Sequence, residues 1–218
     1  MDHAVTKTPY TIQNLASVRF DILRVPSRRT PRGRPARPER GILGPVNDLL
    51  QPPRLVRPTT AVRESFLAGE WADCLDSGAP TGWLDPARED FGAFVAERRG
   101  MRTRWNVPCS TFWYVSDEHY LGTLIVRHRL TPELAEVGGH IGYHVVPARR
   151  RRGHATRMLT AGLAECRGLG LDRVLLTCAV GNEPSRRVIV ANGGVHDGRA
   201  HGEDRYWITL DTGHDTDT

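Results

Sequence analysis

The alternation of hydrophobic and polar residues is most informative between residues 140 and 178. Residues 140–146 form a short apolar run that Pro147 ends, because proline fixes φ and cannot donate to a strand ladder. After Gly153, small and apolar residues recur at the spacing of one helical face. These residues are Ala155, Met158, Leu159, Gly162, Leu163 and Cys166. The pattern predicts a strand, a basic turn and an amphipathic helix that lies on a sheet.

Two further elements follow this helix. Residues 171–178 are rich in leucine and β-branched residues, and they predict a short buried strand that completes a right-handed strand–helix–strand crossover. Asn182 then opens a short helix, with Pro184 just inside its start and Gly193 and Gly194 just past its end.

The residues on either side of this unit predict a mixed α/β domain. Before this unit we expect a strand at 53–58 and a helix that is capped by Thr59 or Thr60 and carries Val62, Phe66 and Leu67. A loop at 78–85 and a helix through residues 91–98 should follow. Next come a hairpin of 111–115 and 121–128 and a connecting turn at 130–134. Two last strands are expected near Val195 and at 206–210.

The turn between the central strand and its helix predicts an anion site. The first turn of a helix has N–H groups without intrahelical partners, and the helix dipole adds partial positive charge there. Gly153 lets an anion approach the backbone, and four arginines, Arg149 to Arg152, precede it. Neither a Walker loop nor a dinucleotide fingerprint is present in the turn. A diphosphate fits this chemistry.

The six residues Arg150-Arg151-Arg152-Gly153-His154-Ala155 fit the pattern R-x-x-G-x-[G/A] after a strand. This stretch resembles the acetyl-coenzyme A (acetyl-CoA) loop of the GNAT superfamily of N-acetyltransferases, and Asn182 and Ser185 match the N-x-x-[AS] pattern that the superfamily places beside the pantetheine arm. The resemblance implies a mixed, mostly antiparallel twisted sheet, flanked by helices, with a splayed central strand. It implies the following cofactor contacts: Val145, Val146, Arg150, Arg151, Arg152, Gly153, His154, Ala155, Thr156, Asn182 and Ser185.

The same resemblance implies where the catalytic groups lie. The N–H of Val145 is expected to contact the thioester oxygen. His140 is our first candidate for the general base, with Glu136 beside it at the head of the strand and His128 as a weaker alternative. A core histidine that fixes the adjacent turn is the competing interpretation of His140.

The proton donor for the leaving thiolate is a second open question. Ile189 stands where many relatives have a tyrosine that protonates this sulfur, so Tyr143 is a candidate substitute.

The function implied is transfer of acetyl from acetyl-CoA to a primary amine, directly and in a ternary complex, without metal. The acceptor is expected to be a small-molecule or peptide amine, and Trp71, Trp83 and Phe91 are candidates for the lining of its pocket. The alternative is a catalytically impaired protein of the same fold that binds a CoA species as a sensor. Relatives are commonly dimeric, which leaves a homodimer open.

The net charge of +5 is unevenly distributed. Up to Arg57 there are eleven Lys and Arg residues against four Asp and Glu residues, and from Pro58 onward nineteen against twenty-one. We therefore expect an Arg/Pro-rich flexible extension at 1–48, the acetyltransferase domain at 49–212 and a frayed tail at 213–218. Because the basic excess lies outside the domain, nucleic-acid binding is disfavoured.

Cysteine usage and hydropathy bear on the compartment. The four cysteines form no C-x-x-C pair, and no stretch has the apolar length of a membrane span. These features favour reduced core thiols and a cytoplasmic protein that does not enter a membrane.

Overall fold

A computed structural model of the chain describes residues 49–210. The predictions for an extension at 1–48 and a tail at 213–218 fall outside the described residues. Within them, no helix combines the length and apolar character needed to cross a membrane.

The described residues form eight strands and six helices. The strands are β1 (Arg54–Val56), β2 (Arg102–Arg104), β3 (Val107–Ser116), β4 (His119–Arg127), β5 (Ile141–Val145), β6 (Arg173–Ala179), β7 (Val195–Ala200) and β8 (Glu203–Thr209). The helices are α1 (Arg63–Ser77), α2 (Asp85–Glu89), α3 (Phe91–Arg99), α4 (Pro132–Glu136), α5 (His154–Gly168) and α6 (Glu183–Ala191). Short 3-10 turns lie at Thr60–Val62, Gly82–Leu84 and Pro147–Arg149.

The strands form two antiparallel sheets. The first has the order β1-β3-β4-β5, with β2 also paired to β3, and the second has the order β6-β8-β7. Helix α5 connects β5 of the first sheet to β6 of the second. The predicted fold class, a mostly antiparallel sheet flanked by helices, is confirmed.

The two sheets meet at the start of β5. The N–H of His140 donates to the Leu175 carbonyl over 2.7 Å. Gly139 makes this approach possible, because a Cβ there would come within 2.3 Å of the Leu175 oxygen and its φ is +59°. Beyond this point β5 pairs with β4 and β6 pairs with β8, so the two strands diverge into separate sheets. A cleft therefore opens between β5 and β6.

The core lies on both faces of the first sheet. On one face, α5 packs so closely that a Cβ on Gly162 would come within 2.5 Å of Leu124 Cδ1. On the other face, α1 and α3 cover an aromatic cluster in which Phe66 and Trp113 stack with ring centroids 4.6 Å apart. Both helices are thereby fixed against strands β3 to β5.

Three short elements differ from the sequence prediction. Helix α2 and strand β2 were not predicted, and the turn expected at 130–134 is part of helix α4. The Thr131 side chain caps α4 by accepting from the Leu134 N–H, and Pro132 occupies its first turn. These are N-terminal helix signals that a five-residue element offers without any apolar periodicity. The four cysteines are buried free thiols, as expected.

Candidate active site

The turn that the sequence predicts as a phosphate loop follows the end of β5. Arg151 and Gly153 adopt left-handed backbone conformations, with φ of +66° and +73°, and α5 begins at His154. Gly153 has the N-cap position of α5, so the first-turn N–H groups of a fifteen-residue helix begin at this loop. The turn thus has the backbone geometry expected of an anion site.

The Arg150 side chain points away from this turn and toward α1. It pairs with the carboxylates of Asp73 and Asp76, the latter at 2.6 Å, and its Nε donates to the Val145 carbonyl over 2.9 Å. The first arginine of the motif therefore joins the loop, the end of β5 and α1. Only its backbone remains at the loop.

The register of β5 decides which peptide groups face the cleft. The Arg127 N–H donates to the His140 carbonyl over 2.7 Å, and the Val146 N–H donates to the Leu121 carbonyl over 3.0 Å. In an antiparallel pair the hydrogen-bonding residues alternate, so the intervening odd-numbered residues direct their peptide groups away from β4. The N–H of Val145 accordingly faces the side on which β5 and β6 diverge.

The start of α6 lies across the cleft. The Asn182 side chain caps α6 by accepting from the Ser185 N–H over 3.2 Å. The Tyr143 hydroxyl and Ser185 Oγ are 3.0 Å apart, so β5 contacts α6 here. Burial raises the pKa of Tyr143 well above its usual value and keeps the phenol protonated.

His140 has a position fixed by the backbone. Its Nδ1 accepts from the Leu175 N–H over 2.9 Å, and its ring packs against Trp207. Burial, with the nearby charges of Arg127 and Arg173, lowers the pKa of His140 to about 4. A neutral ring that accepts at Nδ1 carries its proton on Nε2, so neither nitrogen has a lone pair free for an amine proton.

Glu136 lies elsewhere, at the end of α4. Its carboxylate is 2.6 Å from Nε2 of His201, and both side chains are about half exposed. The three residues proposed from the sequence for proton transfer therefore have three separate sets of partners: His201 for Glu136, Leu175 for His140 and Ser185 for Tyr143.

A buried polar cluster that sequence reasoning missed lies beneath the end of β5. One oxygen of Glu70, on α1, is 2.8 Å from Nε2 of His144 and also accepts from the Tyr120 hydroxyl. That hydroxyl is in turn 2.6 Å from Oγ1 of Thr123. Glu70 is only 3% exposed and His144 only 8%. The cluster joins α1, β4 and β5.

The charges around His144 oppose the effect of its burial. Burial alone would lower the pKa of His144, but attraction to Glu70 and the hydrogen bond between them outweigh it, and the pKa is raised. Asp73 lies beside this pair, and burial raises the pKa of its carboxyl despite the opposing charges of His144 and Arg150. Polar atoms of Glu70, Asp73 and His144 lie within 4.8 Å of one another.

A sequence signal for part of this cluster does exist. Phe66, Glu70 and Cys74 are spaced by four residues, which places Glu70 on the buried face of α1 between two apolar residues. A carboxylate on such a face needs a buried partner. The partner, His144, lies seventy-four residues away, and the sequence alone does not name it.

The aromatic residues expected around the acceptor separate into two groups. Phe91 belongs to the aromatic core cluster of α1 and α3. Trp71 and Trp83 remain partly exposed: Arg88 stacks over the Trp71 ring at 4.2 Å, and the Trp83 indole N–H is 3.3 Å from Cys74 Sγ. Of these three aromatic residues, the two tryptophans keep exposed surface and Phe91 does not.

Comparison with protein families decides the assignment. The family model "Acetyltransferase (GNAT) family" matches residues 71–193, more than half of the chain. The chain belongs to the GNAT acetyltransferase family. The matched residues contain α1 from its middle onward, the loop at 150–155, the cleft and α6. The protein is therefore an acetyl-CoA-dependent N-acetyltransferase by family.

Solved structures share the GNAT fold. RimJ of Mycobacterium smegmatis in complex with CoA-disulfide is 22% identical, with a TM-score of 0.54 over 72% of this chain and 81% of that chain. An acetyltransferase from Salmonella typhimurium that modifies the N-terminal serine of ribosomal protein L7/L12 is 15% identical, with a TM-score of 0.51 over 73% and 95%. The microcin C7 self-immunity acetyltransferase MccE, in complex with acetyl-CoA and AMP, is 16% identical, with a TM-score of 0.51 over 75% and 94%. A search of the curated proteins found no match.

Proposed function

We propose that this GNAT protein moves an acetyl group from acetyl-CoA to a primary amine by direct transfer in a ternary complex. One observation carries the proposal: β5 and β6 diverge beyond His140 and Leu175, and the glycine loop that opens α5 lies at the end of the same strand. A thioester held along β5 can then have its diphosphate at the loop and its acyl group in the cleft.

The proposed cofactor contacts follow the cleft from the loop inward. Backbone N–H groups of the loop and of the first turn of α5 face the diphosphate, and the loop arginines add positive charge. Arg150 has a different part, because its side chain is bound to α1, so its contribution to the cofactor is confined to its backbone. The contacts proposed are Val145, Val146, Arg150, Arg151, Arg152, Gly153, His154, Ala155, Thr156, Asn182 and Ser185.

The Val145 N–H is the proposed donor to the thioester oxygen. A backbone donor that faces the cleft stabilises the negative charge that develops on this oxygen during acyl transfer. Tyr143 lies two residues before Val145 on β5. The raised pKa of Tyr143 keeps its hydroxyl proton available for a hydrogen bond to the leaving sulfur. No covalent acyl-enzyme is required by this arrangement.

We further propose a peptide or protein N-terminal amine as the acceptor. The structural neighbours that act on ribosomal protein L7/L12 support this choice. Asp73 and Asp76 on α1 share the single cation of Arg150, and the remaining net negative charge suits a cationic amine.

Isothermal titration with acetyl-CoA tests the cofactor site. The wild-type protein is expected to bind, and Gly153→Val is expected to bind at least tenfold more weakly, because a β-branched residue strains the left-handed backbone and obstructs the anion. Gly202→Val is the matched control: Gly202 has a φ of +82° but lies in the β7–β8 turn, so this variant should bind as wild type does. Absence of binding by the wild-type protein would remove the proposed function.

Thiol release then tests transfer and the acceptor. Peptides with a free N-terminus, the same peptides with a blocked N-terminus, and small primary amines are compared at saturating acetyl-CoA. Thiol release that depends on a free N-terminus supports the peptide acceptor, and release with small amines alone contradicts it. Binding of acetyl-CoA without thiol release for any amine would favour the sensor alternative.

A further inference from the structure

We propose that the buried Glu70–His144 pair exchanges the proton of the transfer reaction, with His144 as the exchanging group and Glu70 as its positioning residue. The inference rests on the proposed function and assigns to it a proton path that begins under the acceptor side of β5. His140, the alternative from the sequence, is held by a backbone N–H at the nitrogen that a base would need.

The hydrogen bond to Glu70 sets the tautomer of His144. Nε2 of His144 is 2.8 Å from Glu70 Oε1, and a carboxylate can only accept. The neutral imidazole therefore carries its proton on Nε2 and its lone pair on Nδ1. This is the arrangement in which a buried carboxylate orients a histidine base and stabilises its protonated form. His140 has the same tautomer, but its Nδ1 lone pair is already bound by the Leu175 N–H.

The position of His144 places the ring at the reacting end of the cleft. His144 immediately precedes Val145, whose N–H faces the cleft, and it lies in the part of β5 beyond the junction with Leu175. Side chains alternate along a strand, so Tyr143 and Val145 belong to the core beside α5, whereas His144 lies on the opposite face against Glu70 of α1. Exchange with a reacting amine on that face needs one bridging water.

Within residues 49–210, the charged and titratable groups that act on His144 come from α1, β4 and the loop after β5. Glu70 and Asp73 approach it from α1, Tyr120 approaches through Glu70 from β4, and Arg150 approaches from the loop. The carboxylates favour the imidazolium form and Arg150 opposes it, with Glu70 the strongest of these influences and the pKa raised overall. The pair is thus suited both to take up a proton and to return it.

The proposed acetyl transfer conserves protons and electrons. The amine lone pair attacks the thioester carbonyl carbon, the C–N bond forms, and the carbonyl π electrons move to oxygen beside the Val145 N–H. Those electrons then return and the C–S bond breaks, leaving the pair on sulfur. The proton lost by nitrogen passes through the water to Nδ1 of His144 and from there to the thiolate. An acceptor that enters as an ammonium releases one further proton to solvent.

The pH dependence of kcat, with acetyl-CoA and acceptor saturating, tests the pair. His144→Gln should lower kcat by at least about 100-fold while the Kd for acetyl-CoA changes less than about threefold. In the wild-type protein kcat should fall as pH drops through the raised pKa of His144, because the imidazolium cannot accept a proton. Glu70→Gln removes the charge that raises the pKa of His144. The acidic limb of the pH–kcat profile, where kcat falls as pH drops, should therefore move to lower pH.

Tyr120→Phe provides a second variant with a shift of opposite sign. It removes a hydroxyl that donates to Glu70 Oε1 and keeps nearly the same volume in the core. The Glu70 carboxylate then attracts His144 more strongly, and the acidic limb should move to higher pH. A purely structural cluster would lower stability in both variants without moving the limb in opposite directions. If Glu70→Gln does not fold, Tyr120→Phe alone decides.

Failure of the proton role can be distinguished from failure of the proposed function. His196→Gln removes a histidine that pairs with Asp204 at 3.6 Å on the exposed strand β7, and it should retain the wild-type kcat and limb. Two results would overturn the proton role and leave the proposed function standing. One is a Tyr120→Phe variant that binds acetyl-CoA and whose acidic limb does not move. The other is a His144→Gln variant with the wild-type kcat. Loss of acetyl-CoA binding by the wild-type protein would remove both.

Discussion

Gly69 of α1 lies directly against Val146, the residue that follows β5: a Cβ on Gly69 would come within 2.9 Å of Val146 Cγ1. Helix α1 therefore approaches the end of β5 at the residue next to Glu70. This close packing sets the distance between the helix and the strand that the Glu70–His144 contact spans.

Enlarging Gly69 should separate α1 from β5. Gly69→Leu is expected to lower the free energy of unfolding by about 1–3 kcal/mol, because overpacking outweighs the helix-propensity gain of about 1 kcal/mol. Urea denaturation followed by circular dichroism measures this change. Gly168→Ala is the control: nothing lies within 4 Å of a Cβ there, so the variant should be slightly more stable than wild type. Unchanged stability of Gly69→Leu would show that α1 can move away from β5 without a loss of unfolding free energy.

Removing the Arg150 side chain should destabilise the join between the loop and α1. Arg150→Ala leaves the partly buried Asp73 carboxylate without its cation and the Val145 carbonyl without its donor. We expect a loss of about 1.5–3 kcal/mol in unfolding free energy, the range for hydrogen bonds to charged groups. Arg152→Ala, in the exposed part of the same loop, should change stability by less than about 0.5 kcal/mol. Equal effects of the two substitutions would contradict the distinct place of Arg150.

The low pKa of His140 predicts how stability depends on pH. The unfolded histidine takes up a proton below about pH 6.5, whereas folded His140 does so only near its pKa of about 4. Unfolding free energy should therefore fall as pH drops from about 6.5 to 4, by on the order of 2 kcal/mol from this residue. His140→Gln can still accept from the Leu175 N–H and should show a shallower decline. Denaturant titrations at several pH values measure the slope of unfolding free energy against pH for each protein, with His196→Gln as the control. Parallel slopes for wild type and His140→Gln would refute the contribution of His140.

Metal removal should leave transfer unchanged. The Glu70 oxygen already accepts from Tyr120 and His144, and the Asp73 carboxylate is paired with Arg150, so these acidic groups have protein partners. Thiol release is compared before and after dialysis against a chelator, and again after addition of Zn²⁺ or Mg²⁺. A loss of turnover that a metal ion restores would refute the metal-free mechanism.

The local part of the site was predictable because its signals lie close together in sequence. Pro147 ends the strand, Gly153 precedes the helix, and Asn182 caps α6, so each signal and its structural effect lie within a few residues. The fold class followed from the same periodicity. These features depend on the backbone and on short-range hydrogen bonds, which the sequence pattern reports directly.

The proton-exchanging pair was not predictable in the same way. Glu70 and His144 are brought together by the packing of α1 on β5, which no local pattern encodes. Arg150 shows the same limit, because its motif predicts a phosphate contact while its side chain binds Asp73 and Asp76. His140 became a candidate by residue type and position, and only the tertiary contact with Leu175 reveals which of its nitrogens is occupied.

The peptide groups of Tyr143 and Val145 face away from β4, toward the cleft between β5 and β6, and this has an evolutionary consequence. A contact made by a backbone N–H survives most side-chain substitutions, so selection on such a cleft acts on strand register and on a few glycines. Sequences can then drift far apart while the binding geometry persists. Structures that share this fold at 14–22% identity are the expected result. Substitutions in β5 that keep the volume of its buried side chains should be tolerated better than changes at Gly139, the phosphate loop or His144.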